Sequence, residues 1–201
     1  KDTRKINHYE REHMVVKTNT MSIDDYKEWT LYRWLFMFGH YLGTTQFISR
    51  FLNNHLGIIY SDFYLKLMDF MSSKDSSFCS DQLSKTREAL DLVMQAKAPW
   101  GRVVDSVRKN FAWDFEEATV IEIMKNKELF FQDIKTFLKL NFKLDNSLAD
   151  ELIKYQQLAI LDPKLNYPIN SKFTFNIHDV IHNDAVLVKD LVELSFDGKN
   201  Y

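Results

Sequence analysis

The sequence predicts a mainly α-helical fold, a helical domain with short β-strands near its N- and C-terminal ends. Three observations carry that expectation. Apolar residues recur at three- and four-residue spacings through most of the chain, as on helices that turn one face to a core. Only 5 glycines and 3 prolines occur in 201 residues, beside 45% hydrophobic and 27% charged residues, a globular and helix-rich profile. The β-prone segments, "HMVVKTNT" and "KFTFNI", lie toward opposite ends of the chain.

Residues 1–20 read as a polar linker that ends in a short strand at Met14, Val15 and Val16, followed by turn-forming Asn19 and Thr20. Residues 21–201 form the helical domain. Ser22 stands three residues before Asp25, a capping box that starts a helix. That helix carries Tyr26, Trp29, Trp34 and Met37, is broken or kinked at Gly39 and Gly43, and continues with Phe47, Phe51 and Leu52 to a stop at Gly57. "FYLKLMDFM" is a short helix, and Ser72–Asp81 a polar connector. Residues 82–98 form the next helix, with Leu83, Leu90 and Met94 on one side. Pro99-Trp100-Gly101 punctuates the chain before a helical run from 102 to about 112. From Asp114, acidic residues in a first turn and apolar Val120, Met124, Phe131, Ile134 and Leu138 give one long helix or two. Ser147 caps a helix bearing Leu148, Leu152, Tyr155 and Ala159, which Asp162-Pro163 stops. Phe173, Phe175 and Ile177 alternate with polar residues as in a half-buried strand. Residues 178–195 read as helix, with "AVLVKDLVELSF" open to strand.

The totals exclude several functions. A net charge of −2, with no run of Lys and Arg, gives no field for nucleic acid. One cysteine, Cys79, allows neither an intrachain disulfide nor a cysteine-ligated cluster, and points to a reducing, cytoplasmic setting. Arg33 and His40 interrupt the most apolar stretch, so no transmembrane segment is expected. Glycine-rich phosphate loops and nucleophile elbows do not occur.

Four features are weighed as sites. Trp29, Tyr32, Trp34, Phe36, Phe38 and Tyr41 spread round more than one helix face, which predicts burial on several sides, with ligand lining as the lesser reading. His40, between Gly39 and Leu42-Gly43, reads first as a core histidine and second as a functional one. His178 and His182, four apart, would share one side of a helix, with Asp179 and Asp184 near in sequence to supply a carboxylate; without the glutamate of the zinc-protease pattern the spacing reads first as coincidence and second as a metal site. Cys79 has no histidine near in sequence and reads as inert.

The order of these pieces resembles a known arrangement. Val15, Val16, Thr18, Thr20, Met21 and Ser22, then Asp24, Asp25 and Tyr26, then Trp34, Leu35, His40, Leu42 and Gly43, and finally Gly57, Tyr60, Asp62, Phe63 and Tyr64 run collinearly. They look like the region after the barrel of radical SAM proteins that also carry a B12-binding domain. "LIKYQQLAILDPKLNYPINSKFTFNIHDVI" is similar to the same family's closing region. The resemblance covers most of residues 14–182 and implies a C-terminal accessory domain. Its parent would be an iron-sulfur oxidoreductase using a [4Fe-4S] cluster, S-adenosylmethionine and cobalamin. The family's three-cysteine cluster motif is not in this chain, so the resemblance implies partners upstream, the radical SAM and cobalamin-binding domains, acting on a small-molecule substrate. No catalytic residue carries over. Tyr32 and His40 are the polar groups expected to face substrate, with residues 14–20 as the junction. The competing reading is a freestanding helical interaction module that uses its aromatic surface.

Overall fold

The first helix, α1 (Ile23–Phe36), starts where the capping box predicts. The Ser22 hydroxyl accepts from the Asp25 backbone N–H at 3.1 Å, while the Asp25 carboxylate accepts from the Ser22 N–H at 2.8 Å. Two N–H groups that the helix leaves without intrahelical partners are thereby satisfied. A computed structural model describes residues 15–104, 107, 111–160, 162 and 164–198.

Upstream of that cap, the described part of the expected strand, Val15 and Val16, is not in strand conformation. Met14 lies outside the described residues, and residues 15–20 join no sheet. Val15 is exposed, and the Thr18 hydroxyl instead accepts from the backbone N–H groups of Thr20 and Met21 in a local turn. Two β-branched residues do not make a strand where no partner strand among the described residues runs beside them.

Beyond α1 the chain continues as a π-helix (Met37–Tyr41), α2 (Gln46–Leu56), α3 (Tyr60–Met71) and α4 (Phe78–Met94). Gly57, with φ +68°, ends α2 as predicted. The start of α4 lies earlier than the sequence indicates. Asp133, from a later helix, accepts from the N–H groups of Ser77 (3.1 Å) and Cys79 (2.9 Å) and so draws the polar connector into a cap.

The helical run expected over 102–112 is corrected at both of its described ends. Arg102–Val103 (β1) pairs antiparallel with Ala112–Trp113 (β2); residues 105, 106 and 108–110 lie outside the description. Gly101, with φ +106°, brings the backbone against the Trp113 carbonyl where a Cβ would collide, and Arg102 turns inward to Gln82 and Thr119. Two helices then follow, α5 (Phe115–Lys125) and α6 (Lys127–Phe142), separated at Asn126. Asp145, rather than Ser147, caps α7 (Asn146–Ala159), by accepting from the Ser147 N–H at 2.9 Å. Pro163, expected as its stop, is not among the described residues.

The C-terminal part combines both expectations. β3 (Ile169–Phe175) leads into α8 (Ile177–Asn183), and β4 (Lys189–Phe196) returns antiparallel to β3. The fold is thus mainly helical, with short strands in the second half of the chain.

A phenylalanine-rich core joins these elements. α1 packs on the π-helix, α3, α4 and α5; α6 touches α3, α4, α5 and α7; α2 bridges α3, α7 and α8; and β3 covers α7. Phe63 meets Phe137 edge-on at 5.4 Å, and both are fully buried, as are Trp34, Phe51 and Phe115. Each such ring contributes on the order of 1.5–3 kcal/mol by leaving water. Among the described residues no helix is long and apolar enough to cross a membrane.

Candidate functional site

α1 has apolar residues on both sides, and the fold buries only one. Thr30, Leu31, Trp34 and Leu35 face the core, whereas Trp29, Tyr32 and Phe36 are exposed at 57%, 38% and 43%. The predicted burial on several sides is therefore corrected. Trp34 and Phe38 lie inside, Tyr41 is 72% exposed, and spacings of three and four line Trp29, Tyr32, Phe36 and His40 along one outer face.

His40 closes that face. Its ring is half-buried and stacks on Phe36, with centroids 5.0 Å apart and planes 15° apart, while Tyr60 and Tyr64 meet it edge-on at 5.2 and 6.0 Å. Its Nδ1 is buried without a hydrogen-bond partner. Burial, reinforced by the Arg50 charge, lowers the His40 pKa from its ordinary value, which keeps the ring neutral near pH 7. Tyr64 behaves alike: burial pushes its phenol up to about 12, so it is a neutral wall and not a base. Tyr32 is not part of this cluster; it stands two turns earlier on the same face.

The π-helix sets the position of His40. Leu42 N–H reaches back to the Met37 carbonyl at 2.8 Å, and the carbonyls left over at the end of the turn are taken by threonines. Thr44 donates its hydroxyl to the Phe38 carbonyl (2.8 Å), and Thr45 donates to that of Gly39 (3.1 Å). Gly39 is required there, because a Cβ would come within 2.8 Å of the Tyr64 ring. Insertion of one extra residue in a helical turn is a local distortion that the core must hold in place.

On its other side the π-helix borders a cavity of about 700 Å³. Tyr41, Leu42 and Phe47 form one wall, Val120, Ile121 and Met124 of α5 a second, and Ala159 and Ile160 at the end of α7 a third. Lys125, Asp162 and Lys164 give it a charged edge. Asp162 is bonded to Lys127 at 2.6 Å, and that ammonium holds its carboxyl below the usual range. The cavity suits an apolar group with a polar end. Its walls are apolar and its charged groups lie at one edge, the shape of a binding pocket.

Gln156 fixes this wall, and sequence reading misses it. Fully buried on α7, it accepts from the N–H groups of Phe47 (2.9 Å) and Ile48 (3.2 Å) and donates to the Gly43 carbonyl (2.8 Å). A lone glutamine inside an amphipathic helix carries no local signal of that role.

The remaining predicted positions fall elsewhere. His178 and His182 do share a side of α8, and both meet Tyr155 of α7. The spacing foretold the pair; nothing in the sequence tied it to Tyr155. Cys79 is buried, and burial together with the neighbouring Asp133 pushes its thiol well up, which disfavours the thiolate. No protein-family model matches this chain, and no curated protein sequence matches it either.

Proposed function

We propose that this chain is the C-terminal accessory domain of a cobalamin-type radical SAM enzyme, catalytically silent alone, and that it shapes or caps the substrate side of the barrel. What supports the reading is the outer face of α1. Three exposed aromatic rings, Trp29, Tyr32 and Phe36, with the half-buried His40 stacked at their end, stand on a surface that water would otherwise meet, immediately after the segment that would lead from an upstream domain. The collinear resemblance of residues 14–64 supplies the parent.

The cluster and cofactors would belong upstream. One buried thiol cannot supply three cysteine ligands, so the residues here do not fit a [4Fe-4S] site. In the parent, that cofactor set would supply the one-electron chemistry. This domain's own residues would exclude water and orient substrate: Tyr32 offers a hydroxyl, and His40 a neutral ring held flat against Phe36.

The test is the mass of the native polypeptide in a lysate of the source cells, read with an antibody to this domain. A band far above 23.9 kDa, whose anaerobically purified protein shows iron-sulfur and cobalamin absorption, is the expected result. Tyr32→Ala and His40→Ala in that protein are then expected to lower turnover without loss of folding. A band at 23.9 kDa overturns the reading and leaves the freestanding interaction module in its place.

A further inference from the structure

Tyr155, His178 and His182 form a cluster that the proposed function does not use. The Tyr155 hydroxyl lies 2.9 Å from His178 Nδ1 and 3.1 Å from His182 Nε2. Both imidazoles come from α8, with ring centroids 4.5 Å apart, and His182 is exposed, so the cluster meets solvent on one side. Tyr155 is buried, its ring held edge-on by Phe47, Phe173 and Phe196. A phenol has one proton, so it donates to one imidazole and must accept from the other.

We propose that Tyr155 Oη, His178 Nδ1 and His182 Nε2 together bind one divalent transition-metal ion of the copper and zinc class. Bonds of about 2.0–2.1 Å place neighbouring donors about 2.9 Å apart at square-planar angles and about 3.3 Å apart at tetrahedral ones. The two separations seen here, 2.9 and 3.1 Å, are hydrogen bonds, and an ion that displaced the phenolic proton would find both nitrogens already within that interval of the oxygen. Two imidazole nitrogens and a phenol oxygen are donors for borderline ions, whereas Mg²⁺ and Ca²⁺ take oxygen-only shells.

Binding exchanges one net proton for the ion: the phenolic O–H bond breaks, an oxygen–metal bond forms and H⁺ leaves to solvent, while the imidazole that donated to the phenol moves its proton through solvent to its other ring nitrogen and so frees the ligating one; no electron is transferred. The phenolate so formed offsets the Arg50 charge, which acts on His182 and opposes a cation. Asp179 and Asp184, the nearest carboxylates in sequence, are engaged with Asn183 and Asn54. No group of three or more His, Cys, Asp or Glu that could hold an ion is assembled among the described residues, so the proposal takes its third protein ligand from the phenol.

The 201-residue chain titrated with Cu²⁺ and Zn²⁺, with Mg²⁺ as control, tests this by calorimetry in buffers of different ionisation enthalpy and by visible absorption. The expected result is one saturable equivalent for Cu²⁺ and Zn²⁺, one proton released, and a phenolate-to-copper charge-transfer band. His182→Ala, at an exposed position, is expected to weaken binding by at least about tenfold, the lower end of what losing an outer-shell partner costs. Tyr155→Phe is expected to remove the band and the proton release while circular dichroism stays unchanged. Absence of saturable binding overturns the proposal. So does unchanged affinity in His182→Ala, or full affinity and proton release in Tyr155→Phe, since the ion would then sit elsewhere or on the imidazoles alone.

Discussion

Two helices meet across the π-helix, and they begin in opposite ways. α1 is capped by its own sequence, Ser22 with Asp25, at an exposed position three residues apart. α2 has no such cap. Its N-cap residue, Thr45, turns its hydroxyl back to Gly39, and the first N–H groups of α2 are received by Gln156, 109 and 108 residues away. The first start forms from local chemistry alone. The second exists only once α7 has docked, so the wall of the cavity and the end of the π-helix depend on tertiary assembly.

Breaking the distant cap should therefore cost the most. Gln156→Ala strands two buried N–H groups and the Gly43 carbonyl and leaves a void, and a loss of about 3 kcal/mol is expected from such unsatisfied groups. Urea unfolding measures it. Gln156→Met keeps the volume and removes only the polar contacts, so most of the loss should persist. A loss below about 1 kcal/mol in both variants would mean that water replaces the glutamine, and the contrast between the two starts would fall.

The same contrast separates what the sequence shows from what it hides. The capping box, the Gly57 stop and the alternation of Phe173 and Phe175 are local, and each appears where the pattern places it. The early start of α4 depends on Asp133, the β1–β2 pairing on Gly101 against Trp113, and the cavity on residues from α2, α5 and α7. None of these has a signal within one window. The aromatic stretch fails for a different reason. Composition tells how apolar α1 is, but not that its neighbours cover one side and leave Trp29, Tyr32 and Phe36 outside. His178 and His182 were legible as a pair, and only the packing of α7 on the C-terminal hairpin adds Tyr155.

A smaller effect sharpens the comparison from the side of α1. Ser22→Ala is expected to cost about 1 kcal/mol, the usual loss for an N-cap hydroxyl. That loss should depend on acidity. The Ser22 backbone N–H, and then its hydroxyl, hold the Asp25 carboxyl below its ordinary value. A carboxyl depressed in the folded state contributes fully above its unfolded pKa, near 4, and loses that contribution as pH falls through the depressed value. The stability difference between the unmodified protein and Ser22→Ala should thus shrink from pH 7 to strongly acidic conditions. The Gln156→Met difference should not follow it, because an amide does not titrate in that range.

The helix ends repeat the contrast at the lowest energy. α2 stops on Gly57 at φ +68°, whereas α6 stops on Lys143 at φ +52°, a left-handed conformation that a side chain adopts at some cost. Lys143 is exposed, so its replacement disturbs no core contact. Lys143→Gly should stabilise the protein by about 0.5 kcal/mol, relief of the left-handed strain being partly offset by the greater freedom of glycine in the unfolded chain. Gly57→Ala should act in the opposite direction, since it introduces the strain that α6 already carries. Equal and opposite shifts in the urea midpoint would mean that the backbone conformation alone sets both ends. A destabilised Lys143→Gly would instead mean that the lysine chain packs over the last turn of α6, and that this end, like the start of α2, is held by contacts the local sequence does not display.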